Sequence, residues 1–351
     1  MGKKVFIAGG GTGGHFYPAV SVASFLKEKG YHVLYIGAEK GIEGKKDFPY
    51  GEKILFDIKG VRGKNLSEKI FSAYQLLKTT NKVKEVIKEE KPDFSICFGG
   101  YASFPLGLAS VLEKVPLYIH EQNSIPSYTN KLLSFFARKI FITFEYSKQF
   151  FPEKKTVLSG FPLRKELKEK ISLDENEARK RLGIPENKKN ILVFGGSQGA
   201  KKLTELAEIL AEKNPDIYLT VITGKNSKIS KKRKNLISFD YFEDMGVLYK
   251  GSDLVIARAG AGTVSEILLF GKPAIFVPYP YAASNHQFFN VKWLKDLSLA
   301  EVFQEKELSL EKVNKTVKEF LNRNDISNKI KKYAIDNAEE IILNEIEKEQ
   351  V

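Results

Sequence analysis

The stretch Val5-Phe6-Ile7-Ala8-Gly9-Gly10-Gly11-Thr12-Gly13-Gly14-His15 predicts the fold class of this chain. Its four apolar residues predict a strand, and the stretch Ala19–Lys29 predicts an amphipathic helix that stops at Gly30. The glycines between them allow positive φ angles and let the backbone approach a ligand closely. The start of the following helix offers N–H groups and the positive end of a dipole to an anion. The stretch therefore predicts the strand–loop–helix unit of an α/β domain that binds a phosphate-like group.

The same arrangement recurs in the second half of the chain. The cluster Gly195-Gly196-Ser197-Gln198-Gly199-Ala200 follows the apolar run Ile191–Phe194, and the cluster Arg258–Glu266 follows the run Leu254–Ala257. Apolar runs alternate with longer amphipathic stretches in both halves, which is typical of parallel sheets covered by helices on both faces. The other runs predicted to be strands are His32–Ile36, Ile54–Ile58, Phe94–Phe98, Leu117–His120, Ile140–Thr143, Thr156–Ser159, Leu219–Thr223 and Ala274–Pro278.

The length of 351 residues is enough for two domains. We predict two doubly wound α/β domains, residues 1–161 and residues 162–324. Phe161-Pro162 is the predicted hinge, because proline disfavours helix in the residue before it. Residues 325–351 are predicted to form a terminal helix, since apolar residues recur at helical spacing over Asp325–Glu349. We expect this helix to pack back on the N-terminal domain.

Composition and charge favour a protein of the reducing cytoplasm that is soluble or peripheral to a membrane. The single cysteine, Cys97, cannot form an internal disulfide, and no apolar run reaches the roughly 20 residues that span a bilayer. No basic and then apolar leader precedes the first strand. The net charge of +13 is uneven, with +9 in residues 1–163 and +4 in residues 164–351. The basic first half favours an anionic partner, although a surface rich in lysine and glutamate is an alternative explanation.

His15 is the most informative polar residue of the first loop. It ends a glycine loop at the carboxyl edge of the predicted sheet, where open α/β folds bind their ligands. The adjacent helix N-terminus disfavours an imidazolium, so the ring could accept a proton. A capping or structural histidine is the alternative.

Other cofactor sites receive little support from these motifs. Gly9, Gly11 and Gly14 match the spacing of a dinucleotide-binding loop, but the acidic residue expected at the end of the second strand comes late, at Glu39. The glycine loops lack the Gly-Lys-Ser/Thr ending of a P-loop. The chain has no D-x-D pair, and its four histidines lack metal-ligand spacing. We therefore expect no metal and no cofactor.

Two residues of the second half have alternative roles on spacing alone. Ser197 can cap the helix that follows it or donate its hydroxyl to a phosphate oxygen. Glu266 can complete a capping box as Thr263-x-x-Glu266, or accept hydrogen bonds from a ribose diol. The spacing by itself favours the cap.

Four motifs in order carry a resemblance to a known family. They are the stretch Gly9–Ala19, the motif His120-Glu121-Gln122-Asn123, the cluster Gly195–Ala200 and the motif Gly262-Thr263-Val264-Ser265-Glu266. Together they closely resemble the MurG family of peptidoglycan glycosyltransferases. The resemblance implies the GT-B fold, in which two Rossmann-like domains with parallel sheets face a central cleft. It also implies transfer of N-acetylglucosamine from UDP-GlcNAc to lipid I, undecaprenyl-diphospho-MurNAc-pentapeptide, which gives lipid II.

The resemblance implies a donor site mainly on the second domain. Ser197 matches a phosphate contact and Glu266 a ribose contact, which replaces the cap favoured by spacing. Phe242 matches a residue whose backbone reads the uracil edge, Arg164 a donor-binding arginine and Gln287 a residue that bonds the sugar hydroxyls. The remaining residues implied at the substrate are Gln198, Ala261, Gly262, Thr263, Val264 and Ser265 on the second domain and Thr12, Gly13, Gly14 and Asn123 on the first.

The implied reaction inverts the anomeric carbon and needs a base on the acceptor side. The MurNAc 4-hydroxyl attacks C1 of the sugar while UDP leaves, so the base removes the hydroxyl proton and the site supports the diphosphate. His15 is the candidate base. His120 and Glu121 are rivals that the sequence leaves open.

The implied acceptor is a lipid, so we expect a peripheral protein at the cytoplasmic face of the membrane, in contact with an anionic surface. A helix over Ser67–Glu90 is a candidate contact, with the alternative that its apolar residues are core and its lysines solvated. Its apolar residues Ile70, Phe71 and Tyr74 lie near Lys64, Lys69 and Lys78.

Two other functions compete with this interpretation. Another GT-B enzyme, such as a transferase with a different lipid acceptor or a sugar-nucleotide epimerase, would share the fold, but the His120–Asn123 motif favours the MurG family. A basic module that binds nucleic acid has its only strong support in Lys231-Lys232-Arg233-Lys234. We therefore expect no nucleic-acid partner.

Overall fold

The structure is a computed structural model that describes residues 2–58, 66–196, 199–225, 227–323 and 325–349, without the side chains of residues 66–71 and 73. The chain divides into two compact units. The first unit comprises residues 1–164 and 336–351, and the second comprises residues 165–335. The division after Arg164 lies three residues beyond the end of the first predicted domain.

The first unit contains a seven-stranded parallel sheet. Its strands are β1 (Lys4–Ala8), β2 (His32–Ala38), β3 (Glu52–Phe56), β4 (Phe94–Cys97), β5 (Leu117–Glu121), β6 (Lys139–Ile142) and β7 (Thr156–Leu158). Its α-helices in the described residues are α1 (Gly13–Glu28), α2 (Ile42–Lys45), α3 (Leu66–Glu90), α4 (Ser103–Leu112), α5 (Tyr128–Leu133) and, near the end of the chain, α14 (Ala338–Lys348). The strand order is β3-β2-β1-β4-β5-β6-β7.

Helices cover both faces of this sheet, which explains why its central strands are continuous apolar runs. On one face, Phe16 and Leu26 of α1 and Ile346 of α14 pack with β1 and β4. On the other face, Val83 of α3 and Leu106 of α4 pack against the same central strands. The result is a three-layered α/β/α unit.

The second unit repeats the architecture with six parallel strands. They are β8 (Lys189–Phe194), β9 (Ile217–Ile222), β10 (Leu236–Phe239), β11 (Leu254–Ala257), β12 (Ala274–Phe276) and β13 (Ala300–Val302), in the order β10-β9-β8-β11-β12-β13. Its α-helices in the described residues are α6 (Lys165–Glu169), α7 (Glu175–Leu182), α8 (Lys201–Lys213), α9 (Met245–Lys250), α10 (Ala261–Phe270), α11 (His286–Asp296), α12 (Leu310–Leu321) and α13 (Ile326–Lys331). The prediction of two doubly wound α/β units is confirmed.

Each sheet has a point at which the strand order reverses. In the first unit, β1 lies between β2 and β4, and in the second, β8 lies between β9 and β11. The two neighbouring strands at the reversal are β1 and β4 in the first sheet and β8 and β11 in the second. In each sheet the connections that follow these two strands leave toward opposite faces, so a crevice opens at the carboxyl ends of the strands. The glycine loop that follows β1, and Gly195 and Gly196 directly after β8, lie at these two reversal points.

Two helix predictions are wrong in their bounds. Helix α1 begins at Gly13 rather than Ala19, so that Pro18 lies inside it. Pro18 has no N–H to donate to the carbonyl of Gly14 four residues earlier, and this hydrogen bond is missing from the helix. The earlier start places the glycine loop directly at the helix N-terminus.

The single terminal helix predicted over Asp325–Glu349 is also wrong. The structure has two helices, α13 and α14, with a break that contains Asp336 and Asn337. These residue types hydrogen-bond to nearby backbone outside helices and so favour breaks. Ile330 of α13 is buried in the second unit, whereas Ile346 of α14 belongs to the core of the first.

Candidate active site

A buried carboxylate holds the first glycine loop in place. Glu43 is fully buried, and its carboxylate accepts hydrogen bonds from the backbone N–H of Gly11 at 2.9 and 3.1 Å and of Ala38 at 3.0 Å. A Cβ atom on Gly10 would overlap this carboxylate, and Gly11 has a φ of +83° with the Tyr101 ring beside it. The loop therefore needs glycine at both positions. The sequence-based site prediction missed Glu43. Its only local signal is that Gly41 and Gly44 lie on either side of it.

Replacing Gly10 by alanine is expected to lower the free energy of unfolding by about 1–3 kcal/mol, the usual cost of overpacking. The added methyl group displaces the Glu43 carboxylate from the two N–H groups that compensate its burial. Thermal and urea unfolding measure the effect. The matched control is Gly14→Ala, where the nearest atom to a new Cβ is Thr12 Oγ1 at 3.9 Å. Equal stability of the two variants would contradict this role of Glu43.

His15 is the third residue of α1, and its ring lies beside the loops that follow β4 and β5. Its Nδ1 is 2.8 Å from Oε1 of Gln122. A Cβ on Gly100 would lie 3.1 Å from Cδ2 of the ring, so the left-handed backbone of Gly100, with φ of +77°, packs against it. Among the described residues, Nε2 of His15 has no hydrogen-bond partner in the chain. The ring is half-buried and held at one nitrogen, which leaves the other for a ligand.

His120 is enclosed by the protein. Its ring is fully buried and stacks on Phe98 with centroids 5.5 Å apart. Nε2 donates to the carbonyl of Gly160 at 2.9 Å, and Nδ1 lies 3.1 Å from Nε2 of Gln122. Burial lowers the pKa of His120 to about 4, and the bond to Gly160 opposes this shift. With both nitrogens paired, His120 has no lone pair to offer an acceptor hydroxyl.

The lowered pKa of His120 predicts a pH-dependent stability. The unfolded histidine has a pKa of 6.5, so the unfolded state binds more protons between pH 6.5 and pH 4 and the free energy of unfolding falls as the pH falls through this window. The contribution is present above pH 6.5 and amounts to about 3 kcal/mol.

Urea unfolding at pH 7 and pH 4 tests this expectation with the variant His120→Gln. The stability difference between the wild-type protein and this variant should shrink by about 3 kcal/mol at the lower pH. The exposed His32, replaced as His32→Gln, is the control and should show no such change. A constant difference for His120→Gln would contradict the neutral buried ring.

Glu121 holds the loop that follows β5. Its side chain is fully buried and accepts hydrogen bonds from the backbone N–H of Asn123 at 2.9 Å and of Ser127 at 3.0 Å, and from Nδ2 of Asn130 at 2.8 Å. Burial raises the pKa of Glu121, and these hydrogen bonds oppose the shift. The carboxylate is thus occupied by the loop, which favours a role in positioning Asn123.

The other site residues predicted on the first unit lie around the start of α1, except for Arg164, which ends the first of the unit's two chain segments. Thr12 is the N-cap residue of α1 and is exposed, as is Gly14, while Gly13 begins the helix. The first N–H groups of a helix have no partner within it, so Gly13 and Gly14 present donors here. Arg164 places its guanidinium 5.5 Å from the centroid of the Tyr17 ring.

The N-terminus of α10 forms the best-defined part of the site on the second unit. Gly260 is the N-cap residue and Ala261 begins the helix, so Gly262 and Thr263 also lie in its first turn. Glu266 lies in the second turn, and the capping box with Thr263 is wrong because the helix begins two residues before Thr263. Glu266 instead accepts a hydrogen bond on Oε2 from the hydroxyl of Tyr249 at 2.7 Å.

Tyr249 fixes the orientation of the Glu266 carboxylate. Its ring is fully buried between Phe194 and Phe270, with centroid distances of 6.2 and 5.2 Å. Burial raises the pKa of Tyr249, and the carboxylate of Glu266 raises it further. The hydroxyl therefore stays protonated and donates. Val264 and Ser265 are buried on the same helix.

Gln287 has an amide whose orientation is fixed by the backbone. Its Oε1 accepts from the N–H groups of Ala259 at 3.2 Å and Tyr279 at 2.9 Å. The amide nitrogen Nε2 therefore remains as a donor. The two residues before α11, Ser284 and Asn285, have φ of +49° and +52°, a conformation that clusters at ligand-binding sites.

The remaining predicted site residues have few described contacts or lie outside the described residues. Phe242 is half-buried and packs on Phe239 with a centroid distance of 4.8 Å. Ser197 and Gln198 lie outside the described residues. The predicted membrane contact on α3 lies largely outside them as well, apart from the exposed Tyr74 and Lys78. The described residues contain no cluster of three or more potential metal ligands among His, Cys, Asp and Glu.

Comparison with known proteins places the chain in a family. Residues 5–142 match the glycosyltransferase family 28 N-terminal domain, and residues 190–344 match the family 28 C-terminal domain. The chain is 55% identical over 346 residues to a protein of Sulfurihydrogenibium sp. (strain YO3AOP1), covering 98% of each chain. It is 42% identical to a protein of Aquifex aeolicus (strain VF5), covering 97% of this chain and 99% of the relative. Both are named UDP-N-acetylglucosamine–N-acetylmuramyl-(pentapeptide) pyrophosphoryl-undecaprenol N-acetylglucosamine transferase.

A solved structure agrees with these matches. The crystal structure of Acinetobacter baumannii MurG superimposes on this chain with a TM-score of 0.79, covering 99% of both chains, and the two sequences are 30% identical. The chain belongs to the MurG family, within glycosyltransferase family 28. UDP-GlcNAc 2-epimerase from Neisseria meningitidis is also similar, with a TM-score of 0.68 at 15% identity, which shows a shared fold alone.

Two residues of this MurG-family chain escaped the sequence-based site prediction. Glu43 accepts a hydrogen bond from Gly11, which is 32 residues away in the sequence. Gln122 forms a hydrogen bond with His15, which is 107 residues away. Gln122 stood inside a quoted motif, but nothing in the sequence indicated its partner. No described helix of this member of the MurG family is long and apolar enough to cross a membrane.

Proposed function

We propose that this protein transfers N-acetylglucosamine from UDP-GlcNAc to the 4-hydroxyl of the MurNAc residue of lipid I, forming lipid II for peptidoglycan. The observation that carries the proposal is the 55% identity over 98% of both chains to a relative named for this transfer. The epimerase alternative has support only at the level of the fold.

The acceptor chemistry is assigned to the first unit. His15 lies at the reversal point of the sheet with Nδ1 bonded to Gln122, and its Nε2 is the proposed base for the MurNAc hydroxyl. Glu121 and His120 are buried with their polar atoms engaged. We assign them to positioning of the loop that carries Asn123.

The donor is assigned mainly to the second unit. Glu266 would accept from the ribose hydroxyls while Tyr249 holds its carboxylate, and Nε2 of Gln287 would donate to the sugar. The N-terminal turn of α10 and the Ser197-Gln198 loop would bind the diphosphate, with the backbone beside Phe242 reading the uracil and Arg164 assisting.

The reaction then proceeds by direct displacement with inversion. Nε2 of His15 takes the proton of the MurNAc 4-hydroxyl as its oxygen forms a bond to C1 of the sugar. The bond from C1 to the β-phosphate oxygen breaks, and UDP leaves with the electron pair. Backbone N–H groups at a helix N-terminus stabilise the charge that develops on the diphosphate.

Incubation with radiolabelled UDP-GlcNAc and a lipid I analogue tests the assignment. We expect label in the lipid product, with equal yield in the presence of a chelator. Samples without acceptor distinguish transfer from hydrolysis and from conversion of UDP-GlcNAc into its 2-epimer. An unlabelled lipid, or an epimer formed without acceptor, would contradict the proposal.

We also propose that the first unit binds the anionic cytoplasmic face of the membrane, where a lipid acceptor would lie. An exposed aromatic patch supports this proposal. It consists of Tyr128, Leu132, Phe135 and Phe136, whose exposed fractions are 90, 50, 74 and 54%. Residues 122–144 contain no acidic residue, and Lys131 and Lys155 lie at the patch, with Nζ of Lys155 3.3 Å from the carbonyl of Phe135. Exposed aromatic residues beside cations are typical of interfacial membrane binding.

Co-sedimentation with vesicles of anionic and of neutral lipid tests this contact. We expect Phe135→Asp to weaken binding to anionic vesicles severalfold while transfer to a soluble acceptor analogue remains. Leu297→Asp, at a 48% exposed leucine of the second unit, is the matched control and should bind as the wild-type protein does. Unchanged binding of Phe135→Asp would contradict the role of the patch.

A further inference from the structure

The hydrogen bonds around Gln122 determine which nitrogen of His15 carries the proton. Three side chains and one carbonyl form a continuous chain of atoms: the carbonyl of Gly160, the His120 ring, the Gln122 amide and the His15 ring. Its members come from β5, from the loops after β5 and β7, and from α1. All of them belong to the first unit.

The direction of each bond follows from two atoms that can only accept. The carbonyl of Gly160 lies 2.9 Å from Nε2 of His120, so the proton of that ring is on Nε2. Nδ1 of His120 is then an acceptor. The carbonyl of His120 lies 3.1 Å from Nε2 of Gln122, so this atom of Gln122 is the amide nitrogen, which also donates to Nδ1 of His120.

The orientation of the Gln122 amide leaves its oxygen for His15. Oε1 of Gln122 lies 2.8 Å from Nδ1 of His15, and an amide oxygen can only accept, so Nδ1 carries a proton. In a neutral imidazole the other nitrogen is then unprotonated. The opposite tautomer of His15 would place two lone pairs against each other.

The neutral state of the His120 ring keeps the Gln122 amide in a single orientation. A second proton on its ring would reside on Nδ1, opposite the amide nitrogen of Gln122, and would force the amide to turn. Full burial of the ring disfavours that charge and lowers its pKa to about 4. At neutral pH the amide therefore has a single favourable orientation.

We propose that Gln122, oriented by His120 and the Gly160 carbonyl, is a positioning residue that holds His15 as the tautomer with a proton on Nδ1 and a bare Nε2. The inference rests on the proposed function for its consequence, since a bare Nε2 is what a base for the MurNAc hydroxyl requires. The tautomer itself is a property of the first unit and can be measured without any reaction.

Nitrogen NMR of the full-length protein labelled with ¹⁵N-histidine reads the tautomer directly. The chain has four histidines, so His15 is assigned from the spectrum of a His15→Gln sample. We expect Nε2 of His15 to show the shift of an unprotonated nitrogen and Nδ1 that of a protonated one at neutral pH. The reverse pattern would overturn the proposal. This result holds whether or not transfer to lipid I is observed, so a failure of the proposed function remains distinguishable.

Variants of Gln122 test the consequence for turnover. Gln122→Met removes the acceptor and should lower kcat by about 10- to 100-fold with the KM for UDP-GlcNAc unchanged. It should also shift the His15 signal toward a proton on Nε2. The same change at an exposed glutamine, Gln149→Met, is the control and should leave both constants unchanged.

Circular dichroism and thermal unfolding establish that each variant is folded before its kinetics are compared. A Gln122→Met enzyme with the kcat of the wild-type protein, or a His15 tautomer that Gln122→Met does not alter, would overturn the positioning role. If Gln122→Met does not fold, the wild-type NMR spectrum still decides the tautomer.

Discussion

Replacing His15 by alanine is expected to lower kcat by about 10²- to 10⁴-fold, the usual contribution of a general base. The KM for UDP-GlcNAc should change little, because the donor contacts are assigned to the second unit. The fold should persist, since the ring is half-buried and its one hydrogen bond in the described residues is to Gln122. Steady-state kinetics with a lipid I analogue measures the effect.

Two further variants define what the His15 result means. His32→Ala removes an exposed histidine at the amino-terminal end of β2, in the same sheet, and should leave kcat unchanged. Glu121→Gln tests the rival carboxylate, and we expect its main effect on stability, because its oxygens accept from the loop that follows β5. A His15→Ala enzyme with near-normal kcat would remove His15 as the base while leaving the family assignment intact.

Replacing Glu266 by alanine is expected to lower kcat/KM for UDP-GlcNAc by about 10- to 100-fold. Hydrogen bonds to a charged group contribute about 1.5–3 kcal/mol, which corresponds to this range. The loss should appear mainly in the KM for UDP-GlcNAc. Isothermal titration with UDP measures the same loss without the acceptor.

The partner of Glu266 provides a graded comparison. Tyr249→Phe keeps the buried ring between Phe194 and Phe270 but removes the hydroxyl that holds the carboxylate, so a smaller loss of UDP affinity is expected. Glu307→Ala, at an exposed position of the same unit, is the control. Wild-type UDP affinity in Glu266→Ala would exclude the ribose contact.

The central strands were predictable because a parallel sheet covered on both faces needs continuous apolar runs. The runs that were missed are β10 and β13, which lie at the two edges of the second sheet. Ser238 is exposed in β10 and Glu301 is half-buried in β13, and each strand has four residues or fewer. In each of these short edge strands a polar residue interrupts the apolar run on which the prediction depended.

The site was predictable where chemistry follows directly from position in the chain. His15 and the start of α10 come immediately after central strands, and parallel strands bring their carboxyl ends to one edge. The partners of these residues were not predictable in the same way. Glu43 and Gln122 act through hydrogen bonds between segments far apart in sequence, and such contacts leave no periodic signal.

The stereochemistry of the product tests direct displacement at C1 by the MurNAc 4-hydroxyl. The wild-type protein is incubated with UDP-GlcNAc labelled with ¹³C at C1 and a lipid I analogue, and the anomeric signal of the purified lipid product is recorded by NMR. We expect a β-linked N-acetylglucosamine on the 4-oxygen of MurNAc, the result of a single inversion. An α-linked product, or label recovered only as free sugar or as unchanged or epimerised donor, would contradict it.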